Sequence, residues 1–187
     1  MFVELEKQKD FWASPDALVR AGEAQLNNKP VWYAWMGKRP VSLSDIDGLL
    51  RFMKERVIPT KKKKPLLLLS NCPGFAPDVL AEERGLVFFV GHYRRCQQEW
   101  RDAGNTIISA IDDVAVGGVY LIHGMAASTR LATPQTRFYG ALPPEVSEAA
   151  GFGVKLDTLD KALEIGLVTG IVERPAMKDA LATALLA

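Results

Sequence analysis

Apolar positions along this chain change spacing from segment to segment, and the changes mark the elements. Val31–Met36 (VWYAWM) is aromatic and β-branched, the composition of a strand. Ile46, Leu49, Leu50, Met53 and Val57 then recur at helical spacing, with Ser42 and Ser44 as candidate N-caps and Pro59 as the stop. Leu66–Leu69 is a continuous apolar run closed by Ser70-Asn71-Cys72-Pro73-Gly74, as expected of a strand buried on both faces. From Asp78 to Ala103 the period is helical again, through Leu86, Phe89, Val90, Tyr93, Cys96 and Trp100, with Gly104 as the stop.

Thr106–Ile111 (TIISAI) predicts a second buried strand, followed by Asp112-Asp113-Val114-Ala115-Val116 and the pair Gly117-Gly118. Val119–Ala127, small and apolar, predicts a buried helix beginning at the glycines. Short strands follow over Arg130–Thr133 and Thr136–Leu142, on either side of Pro134. A helix opens near Pro143-Pro144-Glu145, where proline suits a first turn. Another spans Leu156–Ile165 and breaks at Gly166; Val168–Val172 is a last strand, and Pro175 opens a C-terminal helix. Strand and helix alternate, so the expected class is α/β with parallel pairing, in a single domain over residues 1–187.

Composition narrows the function classes. A hydrophobic share of 48% with 24% charged residues suits a globular core. A net charge of +1 gives no electrostatic reason to expect nucleic acid or an anionic membrane as partner. The N-terminus MFVELEKQKDFW lacks the apolar stretch of a signal peptide, and no apolar run nears the roughly 18 residues of a bilayer span. Cys72 and Cys96 form neither a Cys-x-x-Cys pair nor a disulfide framework. The expectation is a cytoplasmic, reduced protein.

The chemistry-bearing candidate is Gly117-Gly118. Residues without a Cβ leave backbone N–H groups accessible to a ligand oxygen, and a following helix adds its unpaired first-turn donors. Such a turn suits an oxyanion hole for a thioester enolate. The competing reading is that the glycines only allow tight strand–helix packing, and the local pattern leaves both open.

The order of segments resembles the gamma subunit of biotin-independent malonate decarboxylase, a crotonase-like carboxyltransferase. The resemblance covers somewhat more than half of the chain. It comprises the apolar strand ending in a polar-Gly turn, AEERGL, the long helix with Cys96, the strand into Gly-Gly, His123-Gly124-Met125-Ala126-Ala127, LATPQTRFYGALPPEVSEAAG and KALEIGLVTGIVE. It implies a crotonase-like (ClpP/crotonase) fold of ββα units, shortened at the N-terminus. It also implies a beta-type carboxyltransferase subunit as partner, with an acyl carrier protein bearing the malonyl thioester. The substrate would be an acyl thioester of CoA or of a dephospho-CoA-derived prosthetic group. Gly117 and Gly118 would take the oxyanion role, with Asp113, Val116 and Gly74 near the substrate. Three positions depart from the family pattern: Val116 replaces a Ser before the glycines, Asn71-Cys72-Pro73-Gly74 replaces Asp-Thr-Gln-Gly, and Ile111-Asp112-Asp113 replaces Tyr-Asp-Gln.

Other residues carry weaker signals. Asp112 and Asp113 either orient a polar group or end a strand in solvent. His123, five positions past Gly118, reads as a packed histidine rather than an acid–base group, and His92 as part of a polar helix face. Two histidines without a close cysteine make no zinc site. Cys72 is a nucleophile only if a base lies in reach. Lys61–Lys64, with Arg56, either faces an acidic carrier or is a solvated loop; Trp32, Tyr33 and Trp35 either line an acyl pocket or fill the core. No cofactor is expected on this chain, which lacks a Met-Lys-Met biotinylation context.

Three functions compete. The first is a decarboxylase or carboxyltransferase subunit, and the second a non-catalytic crotonase-like scaffold. The third, an acyl-CoA hydratase or isomerase, would need a carboxylate shortly after the glycine loop, and Val119–Ala127 contains none.

Overall fold

The computed structural model describes residues 1–60, 63–76, 78–139 and 159–186. Its frame is one mixed sheet. Strands β1 (Glu6–Ala13), β2 (Val19–Leu26) and β3 (Lys29–Met36) form an antiparallel meander. Strands β4 (Leu66–Cys72), β5 (Ile107–Val116), β6 (Thr129–Ala132) and β8 (Gly170–Ile171) add to it in parallel, and β7 (Arg137–Tyr139) pairs with the far end of β5.

β3 and α1 (Leu43–Phe52) match their predicted segments, and α1 begins in a capping box between Ser42 and Asp45. The helix then widens into a π-turn, Met53–Val57. The long predicted helix is two helices, α2 (Val79–Glu83) and α3 (Leu86–Asp102), broken at Gly85, which stands at φ +87°. Strands β1 and β2 went unpredicted, because EKQKDFWA and VRAGEAQL lack a sustained apolar alternation. Upstream of residue 65 the chain therefore builds three strands and a helix.

β4 is buried along its whole length, and its side chains divide between two cores. Leu66 and Leu68 pack with α1, α3, Val119 and Ile122; Leu67 and Leu69 face Val3, Leu5 and the C-terminal helix through Met177 and Leu181. That last helix, α6 (Met177–Ala184), follows a 3-10 turn over Arg174–Ala176. A third core joins Ile111, Ala115, Tyr120, Phe138 and Val168, with Ala162 from α5 (Leu159–Glu164). The α5–β8 segment is tied back by Arg130, whose guanidinium donates to the carbonyls of Ala127 (2.7 Å), Gly166 (2.9 Å) and Leu167 (3.0 Å). The predicted helix near Pro143, and residues 140–142 of a predicted strand, lie outside the described residues.

Candidate functional site

Strand β5 is longer than predicted. It runs past Ile111 to Val116 and passes directly into α4 (Gly117–His123). A bulge accommodates the extra length: Ser70 pairs with Ile111, but Cys72 pairs with Ala115, so two residues of β4 answer four of β5. At the bulge Asp113 takes φ +68°, a left-handed conformation costly for a residue with a Cβ.

The bulge separates two neighbouring carboxylates. Asp112 is 1% exposed and accepts from Thr133 Oγ1 (2.9 Å), Gln135 Nε2 (2.8 Å), Asn71 Nδ2 (3.2 Å) and Arg174 (2.6 Å). Asp113 is the solvated one of the pair, approached by Arg137 at 3.4 Å and Lys38 at 4.0 Å. Asp112 thus ties β4, β5, the β6–β7 turn and the C-terminal 3-10 turn together, an arrangement its sequence neighbourhood did not reveal.

Gly117 and Gly118 open α4 at the carboxyl end of the sheet. Among the described residues, no main-chain hydrogen bond outside the regular helices and ladders uses the N–H of Gly117, Gly118 or Val119. Gly74 lies beside them: a Cβ built there would stand 3.3 Å from Val116 Cγ1. Its carbonyl accepts from the Val41 N–H, and Phe75 bridges to Val41. The Phe75 ring covers Gly118, where a Cβ would come within 2.5 Å of Cε2. Glycine at 118 therefore has a packing role of its own. Gly74, Val116, Gly117 and Gly118 are brought together, while Asp113 stands earlier on β5 at its bulge.

The remaining candidates fall into the core or onto surfaces. Cys72 is buried, its Sγ contacting the carbonyls of Arg39 and Gly74 at 3.3 Å, and burial pushes its thiol up to about 11. It closes β4 out of reach of solvent, and its hydrogen-bond contacts among the described residues are carbonyls and an N–H rather than a base. His123 is 0% exposed, with Nε2 3.3 Å from Tyr93 Oη, and burial drives its pKa down to about 3. It is the packed histidine expected. His92 lies tilted against Phe88, with ring centroids 4.2 Å apart. Trp32, Tyr33 and Trp35 are core residues. Lys64 is not part of a solvated loop; it pairs with Glu23 at 3.0 Å and lies 3.8 Å over the Trp32 ring. Among the described residues no three His, Cys, Asp or Glu side chains gather as a metal site would need, and no helix is long and apolar enough to cross a membrane.

No protein-family model matches the chain. A 71-residue stretch, 38% of this chain, is 32% identical to the malonyl-S-ACP:biotin-protein carboxyltransferase MADD of Malonomonas rubra. The match spans about a quarter (24%) of that protein's length. The fold is similar to a chain of the Pseudomonas malonate decarboxylase hetero-tetramer, at TM-score 0.77 and 18% identity, over 93% of this chain and 81% of that one. It is also similar to the beta subunit of P. aeruginosa geranyl-CoA carboxylase (TM-score 0.76, 14% identity, 97% of this chain and 38% of that one). Transcarboxylase 12S gives TM-score 0.72 at 19% identity, over 90% of this chain and 35% of the other. The mixed sheet, its parallel ββα units and these likenesses together establish that the chain has the crotonase-like α/β fold of the carboxyltransferases.

Proposed function

We propose that this chain is a gamma-type subunit of a malonate decarboxylase-like carboxyltransferase, holding the thioester oxygen of a malonyl group at Gly117-Gly118. The observation that carries the reading is the direct passage of β5 into α4 at two glycines whose N–H groups enter no loop or turn hydrogen bond among the described residues. Loss of carbon dioxide breaks the bond between the malonyl carboxylate and its α-carbon. The electron pair passes to the thioester carbonyl as an enolate, and a proton then returns to the α-carbon to give an acetyl thioester. Peptide N–H donors placed before that oxygen stabilise the charge as it develops. Gly74 and Val116 would form the adjoining wall, with Asp113 and its cations nearer the mouth.

A beta-type subunit would supply the opposite half of the cleft, and an acyl carrier protein would deliver the malonyl thioester. The apolar face of α2 and α3 supports a partner: Val79 is 74%, Leu80 57%, Val87 72% and Phe88 65% exposed. Side chains of this kind, clustered on neighbouring helices, mark association surfaces.

The Phe75 ring over Gly118 favours a second reading, a non-catalytic scaffold in which the glycines serve packing alone. Co-expression with a beta-type subunit and a malonyl-thioester decarboxylation assay separates the two. The catalytic reading expects the complex to decarboxylate, and Gly118→Val to cut turnover by about a hundredfold or more while the complex still assembles. Because Val at 118 also displaces Phe75, Phe75→Ala with Gly118→Val is the matched control; relief of the clash should restore packing but not turnover. A complex that forms without turnover establishes the scaffold.

A further inference from the structure

We propose that a groove between the β1–β2 ladder and the π-turn binds a small aromatic anion, a carboxylate or phosphate carried on a flat apolar body. The groove has a volume of about 360 Å³. It adjoins the middle of β3, where Trp32 pairs with Leu66 at the start of β4, whereas the glycine pair follows the far end of β5. The two sites lie at opposite ends of the parallel strands, and the proposal stands apart from the decarboxylation reading.

Four departures from regular backbone converge here. β1 shifts register between Glu6 and Lys9 and again between Asp10 and Trp12. Gly22 lets the β1 main chain close in, since a Cβ there would stand 2.1 Å from the Lys9 carbonyl oxygen. The π-turn carries Arg56 to the same place, with its guanidinium 4.5 Å over the Phe11 ring. Bulges re-aim side chains, and π-turns recur at functional sites.

The charges select an anion. Both carboxylates in the groove are already compensated: Asp10 by Tyr33 Oη and by Arg20 at 3.7 Å, Glu23 by Lys64 at 3.0 Å. Lys9, opposite Glu23 on β2, and Arg56 form no ion pair within 4.0 Å among the described residues, and both line the groove. Trp32, also in the lining and 8% exposed, carries a buried Nε1–H without a hydrogen-bond acceptor among the described residues. Two cations held in no ion pair favour a ligand with negative charge. Phe11 and Trp32 supply an aromatic wall, and a guanidinium stacked on a ring accepts a further flat group well.

Calorimetry on the full chain tests this with phenyl phosphate and benzoate as probes, beside inorganic phosphate and phenol. At least one aryl anion should bind with Kd below about 1 mM, and both inorganic phosphate and phenol should bind at least about tenfold more weakly. The tighter aryl anion identifies phosphate or carboxylate as the head group. Arg56→Met, at an exposed position, should weaken binding at least about tenfold, and Trp32→Phe, which shrinks the aromatic wall, should weaken it as well. Arg51→Met, an exposed cation of α1 paired with Glu55, should leave it unchanged. No heat with either aryl anion at about 10 mM overturns the proposal. So does unaltered binding in Arg56→Met, equal loss in Arg51→Met, or inorganic phosphate binding as tightly as phenyl phosphate.

Discussion

Asp112 is almost fully buried and collects hydrogen bonds from four side chains, so its removal takes an acceptor from all four at once. Asp112→Ala should cost about 3 kcal/mol in urea unfolding, since breaking a buried pair from one side leaves its partners unpaired. Arg174→Ala should also destabilise, because it leaves the buried Asp112 carboxylate without its cation. His123 gives a pH signature. Its native pKa, near 3, lies below the ordinary value of 6.5, so the unfolded chain takes up a proton first as pH falls. Stability linked to this group is whole above about pH 6.5 and is lost progressively down to about pH 3. Between pH 7.5 and 5 the native protein should lose about 2 kcal/mol more than His123→Leu, measured by denaturant titration at both values. Cys72, with its thiol pushed up, should resist iodoacetamide at pH 8 until the chain unfolds.

At the scale of elements, what was legible depended on whether a local rule decided the outcome. α1 could be placed because Ser42 and the spacing from Ile46 to Val57 agree, and its cap is present: Ser42→Ala should cost about 1 kcal/mol by thermal melting. β4 could be placed because a strand buried on both faces needs no alternation. β1 could not, since an edge strand with one open side tolerates Lys7, Lys9 and Asp10 and carries two register shifts. The end of β5 was hidden for a related reason: Asp112 and Asp113 look like a loop, yet one is neutralised by tertiary partners and the other sits in a bulge. Asp113→Gly should raise stability by up to about 1 kcal/mol, because its left-handed backbone is free to glycine and its ion pairs are exposed. The glycine pair was legible as a strand–helix junction, whereas Phe75 above Gly118 was not: nothing in sequence distance connects positions 75 and 118.

For the whole molecule, the sheet is clothed unevenly. α1 and α3 pack one face, and α6 with the N-terminal segment covers the other, while α2 and the start of α3 leave large apolar side chains in water. On the proposed function, Val87→Asp with Phe88→Asp should reduce capture of a beta-type subunit at least about tenfold in a pull-down while leaving the circular dichroism spectrum intact. The Arg130 side chain raises a different consequence. Four carbonyls, those of Ala127, Ser128, Gly166 and Leu167, converge on one planar fork, an arrangement that an ammonium group cannot imitate. Lysine at 130 would therefore act like a latch removed from a door that keeps its hinges: the Gly166–Leu167 turn should exchange its amides with deuterium faster than in the native chain, while Thr169 and Val172, still bonded to the main chain of β6, stay slow.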